Sequence, residues 1–172
     1  MFVATAPTAP YTLPKTALYA DLNAQLKSLV EGERDFIANA ANFSALLFHL
    51  LPDLNWAGFY LLRGDSLILG PFQGKPACVR IPVLPAPRGV CGNAAFHKRT
   101  FLVPNVHAFA GHIACDAASN AEIVIPLMSG ERVIGVLDID SPLMDRFDKA
   151  DQVGLEAMVQ TFMAASDPST LK

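Results

Sequence analysis

EIVIPLMSGERVIGVLDID, from Glu122 to Asp140, is the stretch on which the reading of this chain turns. Two runs rich in Ile, Val and Leu flank the short turn Ser129-Gly130-Glu131, a β-hairpin signature. Acids sit where a strand should carry core. Side chains alternate along a strand, so Asp138 and Asp140 share one face with Ile134 and Val136. Val133, Gly135, Leu137 and Ile139 are then expected to supply the core side. Glu122 starts the partner strand at the end away from the turn, so it should meet Asp140 at the hairpin's open mouth. Three carboxylates so placed repel one another, and desolvation adds to the cost. A cation or a proton donor is expected beside them.

The neighbouring segments extend this pattern. NWAGFYLL (55–62) and LILGPF (67–72) flank the turn RGDS and read as another hairpin. PACVRIPV (76–83) reads as a third strand with Cys78 in its middle, and TFLVPNV (100–106) as a further short one. RGVCGNAAFHKR (88–99) reads as a short helix entered through a glycine-bearing turn. Leu18, Leu22, Leu26 and Leu29 recur at helical spacing and stop near Gly32. Phe36, Ile37, Ala40, Phe43, Leu47 and Leu50 repeat that pattern up to Pro52. Asp148, with Asp151 in the first turn, is placed to cap a last helix whose stripe is Leu155, Met158, Val159 and Phe162. The expected fold class is α+β: about six antiparallel strands, with the N- and C-terminal helices packed on one face. Residues 1–15, interrupted by prolines, read as an extended arm, 16–166 as a single domain and 167–172 as a tail.

Composition narrows the function. Apolar residues form 52% of the 172-residue chain, enough for a substantial core. A net charge of −3 without a Lys/Arg cluster argues against nucleic acid as a partner. No apolar run is long enough to span a membrane, and the N-terminus lacks the charged start and continuous apolar stretch of a secretory signal, so a cytoplasmic location is expected. Three cysteines are an odd number for a disulfide framework.

Each thiol has a plain reading and a chemical one. Cys78 alone reads as a small buried hydrophobe. Cys91, near a helix start, sits where a thiol pKa can be depressed. Cys115 lies in the long loop 107–120, between His112 and the acid-bearing hairpin, and long loops in compact domains are often functional. Cys78, Cys91, His112 and Cys115 form a conceivable metal set, but they lack the close C-x2-C pair usual in structural zinc sites, and no metal is expected. A thiolate attacks electrophilic atoms, and crowded acids keep a proton available near neutral pH. Trp56 and Tyr60, four apart on one strand, share a face and by themselves read as core filling.

The runs NWAGFYLL, GPFQGKPACVRIP, RGVCGNA, VHAFAGHIACDAASNAEIVIPL and VIGVLDIDSPLMDRFDKADQVGLE resemble the free methionine-(R)-sulfoxide reductases, which are stand-alone GAF domains. The likeness spans about residues 16 to 163. It implies a GAF-like fold and an oxidoreductase acting on free methionine sulfoxide. By the same likeness Cys115 is the nucleophile, Cys78 the main resolving cysteine and Cys91 an auxiliary thiol. Glu122, Asp138 and Asp140 are the proton-handling and ammonium-binding carboxylates, and Trp56 and Tyr60 wall the substrate's methyl and sulfur. It further implies a Cys sulfenic acid, an intramolecular disulfide, thioredoxin as external reductant with no bound cofactor, and a homodimer. The alternative is a non-catalytic GAF ligand-binding or redox-sensing module. IPVLPAPRGVCG is a few residues longer than is usual before Cys91, and Asn105 and Ala110 stand where Asp and Pro are common.

Overall fold

The computed structural model describes residues 14–113 and 116–171. Most of the expected N-terminal arm and the loop cysteine Cys115 lie outside those residues. Four helices and six strands follow in the order α1 (Lys15–Leu29), α2 (Phe36–Leu50), β1 (Trp56–Arg63), β2 (Ser66–Gly74), β3 (Arg80–Pro82), α3 (Gly89–His97), β4 (Phe101–Val103), β5 (Ala121–Ser129), β6 (Arg132–Ser141) and α4 (Lys149–Ala165). The strands form one antiparallel sheet in the order β3-β2-β1-β6-β5-β4, so β1 and β6 lie at its centre and three-residue strands at its margins. No helix among the described residues is long and apolar enough to cross a membrane.

Two cores sit on the two faces of the sheet. The larger packs α1, α2 and α4 onto Ala57, Phe59 and Leu61 of β1, Ile123, Ile125 and Leu127 of β5, and Leu137 and Ile139 of β6. Its centre is aromatic: Phe162 meets Phe36, Phe43 and Phe59 at ring-centroid separations of 4.9, 5.7 and 5.1 Å. Such pairs add about 0.5–1.5 kcal/mol each beyond the area they bury. The expected helical stripes carry this contact, except that Ile37 of α2 is turned to solvent. The smaller core lies on the opposite face, where α3 brings Val90, Cys91, Ala94 and Ala95 against Trp56, Tyr60, Val124 and Val136. One helix therefore packs apart from the other three.

The strand reading needs two corrections. Cys78 lies in the loop before β3 rather than within a strand, because pairing with β2 covers only Arg80–Pro82. In β6 the parity holds for Val136 through Asp140 but inverts near the turn. The register steps from Leu127↔Gly135 to Met128↔Val133, a β-bulge that leaves one residue of β6 unpaired. Val133 therefore joins the acid-bearing face and Ile134 the larger core, opposite to the simple alternation.

The helices are fastened at the chain ends. Asp148 and Asp151 form a capping box at the start of α4. Asp151 is buried, and its carboxylate also receives the Tyr19 hydroxyl at 2.9 Å, Arg146 Nη1 at 3.2 Å and the ammonium of Lys15. This ties the first residue of α1 to α4. The same helices meet closely at Gly154, where an added Cβ would run into the Tyr19 ring. The expected tail folds back onto α2: Asp167 N–H donates to Arg34 O at 2.8 Å, and Phe36 N–H donates to Thr170 Oγ1 at 3.0 Å.

Without the Asp151 carboxylate the buried Tyr19 hydroxyl loses its acceptor and Arg146 loses its counter-charge, while Lys15 keeps Asp148. Asp151→Ala should therefore lower unfolding stability by about 3 kcal/mol, measured by chemical denaturation. A loss below about 1 kcal/mol would mean that the network does not hold α1 on α4.

Candidate active site

The β5–β6 register does what the hairpin reading expects: Glu122 stands opposite Asp140, and Asp138 follows one pleat later, opposite Val124. All three face the smaller core and line one pocket with Trp56, Tyr60, Cys91, His112, Ile113, Asp116 and Ser119. On the other side of β6, Asp138 pairs with Gly58 and Asp140 with Trp56. Gly58 has to be glycine here, since a Cβ would stand 2.7 Å from the Trp56 ring and overlap Phe72. The bare backbone lets the indole lie flat, stacked on Phe72 at 5.3 Å and on Tyr60 at 5.8 Å. Trp56 Nε1–H donates to Lys75 O at 3.2 Å, and the Tyr60 hydroxyl donates to Cys78 O at 3.0 Å. Trp56 and Tyr60 are thus pinned as a wall, and the loop holding Cys78 is pinned to that wall.

The pocket floor is crowded and dry. Glu122 and Asp138 are each 6% exposed. Cys91 Sγ lies 3.8 Å from Glu122 Oε1, and Asp138 Oδ1 is buried with no hydrogen-bond partner. Burial, reinforced by the neighbouring acids, holds the carboxyls of Glu122, Asp138 and Asp140 well above the ordinary carboxylate range. Burial first and then Asp138 and Glu122 push the Cys91 thiol up as well. This corrects the expectation of a depressed thiol: the weak pull of a helix N-terminus loses to desolvation and two acids. His112 Nε2 sits 3.6 Å from Glu122 Oε2. Burial lowers the imidazole pKa, which disfavours an ion pair between the two. Such a floor favours the protonated forms of its acids and of the thiol.

The pocket rim was not legible as a site. Asn55 Nδ2–H donates to Asp116 Oδ2 at 3.2 Å and to Ser119 Oγ at 2.9 Å, and Lys75 Nζ lies 3.4 Å from Asp116. The Ala118 amide, then Asn55 and Lys75, hold the Asp116 carboxyl below its ordinary value. These contacts anchor the loop after position 115 to the start of β1. The signal available was the DAAS run, whose Asp and Ser suit an Asx-turn. Cys78 is disulfide-bonded and Cys91 is a free thiol. Of the conceivable metal set, Cys78 is thereby removed as a ligand.

A family profile described as the GAF domain matches residues 42–165. The free methionine-R-sulfoxide reductase of Escherichia coli K12 is 57% identical over 145 residues, covering 84% of this chain and 86% of that protein. The X-ray structure of free methionine-R-sulfoxide reductase from Neisseria meningitidis in complex with its substrate superposes with a TM-score of 0.88 at 40% identity, covering 96% of this chain and 95% of that one. The structure of fRMsr of Staphylococcus aureus in its reduced form gives 0.81 at 52% identity, over 86% and 94%.

The raised carboxyls carry a sign that can be measured. The folded chain keeps protons that the unfolded chain releases above about pH 4, so this trio's contribution to stability falls as pH rises through that window. Asp138→Asn supplies a neutral isostere and removes one such group. Its stability relative to the parent should therefore climb between about pH 4 and 8, read as the slope of the difference in urea unfolding. A flat or falling difference would mean that Asp138 is ionised in the folded protein.

Proposed function

Because the chain belongs to the free methionine-(R)-sulfoxide reductases, a GAF-domain family, and is therefore an oxidoreductase, we propose that it reduces free L-methionine-(R)-sulfoxide in this pocket through Cys115, Cys78 and the three carboxyls. The observation that carries this reading is the buried trio of carboxyls, each held well above the ordinary carboxylate range, beneath an aromatic wall. The described residues on either side of Cys115, namely His112, Ile113, Asp116 and Ser119, line that same pocket.

The chemistry follows from the groups. The sulfoxide's methyl and sulfur pack on Trp56 and Tyr60. Its ammonium enters among Glu122, Asp138 and Asp140 and draws one of them into its ionised form, since an opposite charge favours the carboxylate. Another acid remains protonated and donates to the sulfoxide oxygen. The Cys115 sulfur attacks the sulfoxide sulfur. The sulfur–oxygen bond of the substrate breaks, oxygen passes to Cys115 as a sulfenic acid, and methionine leaves. The Cys78 thiolate then attacks that sulfur, water departs, and a disulfide forms. Per turnover, one sulfoxide and two thiols become methionine, one disulfide and water. A dithiol protein of the thioredoxin class returns both cysteines to thiols by exchange.

Cys78 already stands in a disulfide while Cys91 remains a thiol, which supports Cys78 over Cys91 as the resolving group. The same reading carries a homodimer, checked by the mass in solution.

The test is methionine release from free R and S sulfoxide and from a peptide-bound sulfoxide, with dithiothreitol as reductant. Only the free R form should be consumed, and comparable turnover of the peptide would overturn the reading. Cys115→Ser should abolish release. Cys78→Ser with thioredoxin as sole reductant should give one fast turnover and then stall. Glu122→Gln should lower kcat by roughly a hundredfold, the scale of a lost general acid. Continued multiple turnover by Cys78→Ser would remove it from the resolving role.

A further inference from the structure

Among the described residues, the buried ionic cluster outside the pocket is internally satisfied: Asp151 is met by Lys15, Arg146 and Tyr19. The pocket floor is not. Cys91, Glu122 and Asp138 each present a donor atom, and these atoms lie within 4.8 Å of one another. A tetrahedral zinc with bonds of 2.0–2.3 Å spaces its ligands about 3.3–3.8 Å apart. The 3.8 Å between Cys91 Sγ and Glu122 Oε1 already has that spacing. His112 Nε2, 3.6 Å from the other oxygen of Glu122, offers a fourth donor or an outer partner for it.

A second observation points to a ligand. Asp138 is 6% exposed, and its Oδ1 accepts no hydrogen bond. An unmet buried carboxyl oxygen is costly, and a bound cation would satisfy it. No lysine or arginine is among the described residues lining the pocket, so no side-chain cation competes for the place.

We propose that this floor is a binding site for a borderline-soft divalent cation of the zinc class, held by Cys91 Sγ, Glu122 and Asp138. Binding releases protons from Cys91, Glu122 and Asp138 to solvent, and the resulting thiolate and two carboxylates, with an imidazole in reach, suit zinc, cobalt or cadmium and ill suit magnesium or calcium, which take six or more oxygens. On the function proposed above, the cation lies where the substrate ammonium enters, so it acts as an inhibitor that excludes substrate.

Cobalt(II) is the probe, added to the full chain carrying C78S/C115S, in which Cys91 is the remaining sulfhydryl. One cobalt per chain should bind, with tetrahedral visible bands and a thiolate-to-cobalt charge-transfer band in the near ultraviolet. Zinc should displace it and excess magnesium should not. Adding Cys91→Ser should erase the charge-transfer band. In the C78S/C115S background, Asp138→Asn, whose fold is checked by circular dichroism, should weaken binding by roughly tenfold or more. A band that survives Cys91→Ser, equal displacement by magnesium, or unchanged affinity in Asp138→Asn would overturn the site. The readout is spectroscopic and needs no turnover, so failure of the sulfoxide assay and failure of cobalt binding are separate results.

Discussion

Glu122 and Asp140 face each other across the β5–β6 ladder, and the pleat sets Asp138 on the same side. That register is a geometric constraint with an electrostatic consequence. Three carboxyls held this close, under an aromatic wall and a helix, cannot all ionise. They meet the conflict by keeping protons. Everything around them preserves that state: Gly58 lets the indole lie flat over the floor, α3 closes it from above, and Cys91 stays a neutral thiol instead of adding another negative charge.

The chain solves the problem of a buried aspartate in two ways. Asp151 is as buried as Asp138, yet it gathers a lysine, an arginine, a tyrosine hydroxyl and a backbone amide. That arrangement joins helices and does no chemistry. Asp138 has a thiol and two acids for company and one oxygen with no partner. The instability this brings is tolerable because the larger core on the opposite face carries the fold, with its four-phenylalanine centre and three packed helices. Stability and reactivity are thereby assigned to opposite faces of one sheet.

Much of this could be read from residue order because local periodicity and final burial agree. The hairpins, the capped α4 and the convergence of Glu122, Asp138 and Asp140 depend on alternation and turn chemistry, which are local. The departures depend on long-range partners. The bulge in β6 is set by how Met128 pairs with Val133, which no local pattern reveals. Cys78 reads as strand until β2 turns out to pair with three residues. Cys91 looked like a helix-end thiol because its acids come from strands 31 and 47 residues further on. Asn55 and Asp116 are separated by 61 residues, and neither type signals a contact with the other.

The short outer strands have a consequence for life in a crowded solution. β3 and β4 cover only part of their neighbours, so among the described residues β2 beyond Ile68 and β5 beyond Val124 continue without a laddered strand on one side. Those two continuations contain Pro71 and Pro126, residues that have no amide hydrogen to offer. An incoming polypeptide seeking to extend the sheet finds a gap in the row of donors at either border, which is how natural β proteins discourage runaway stacking and fibre growth.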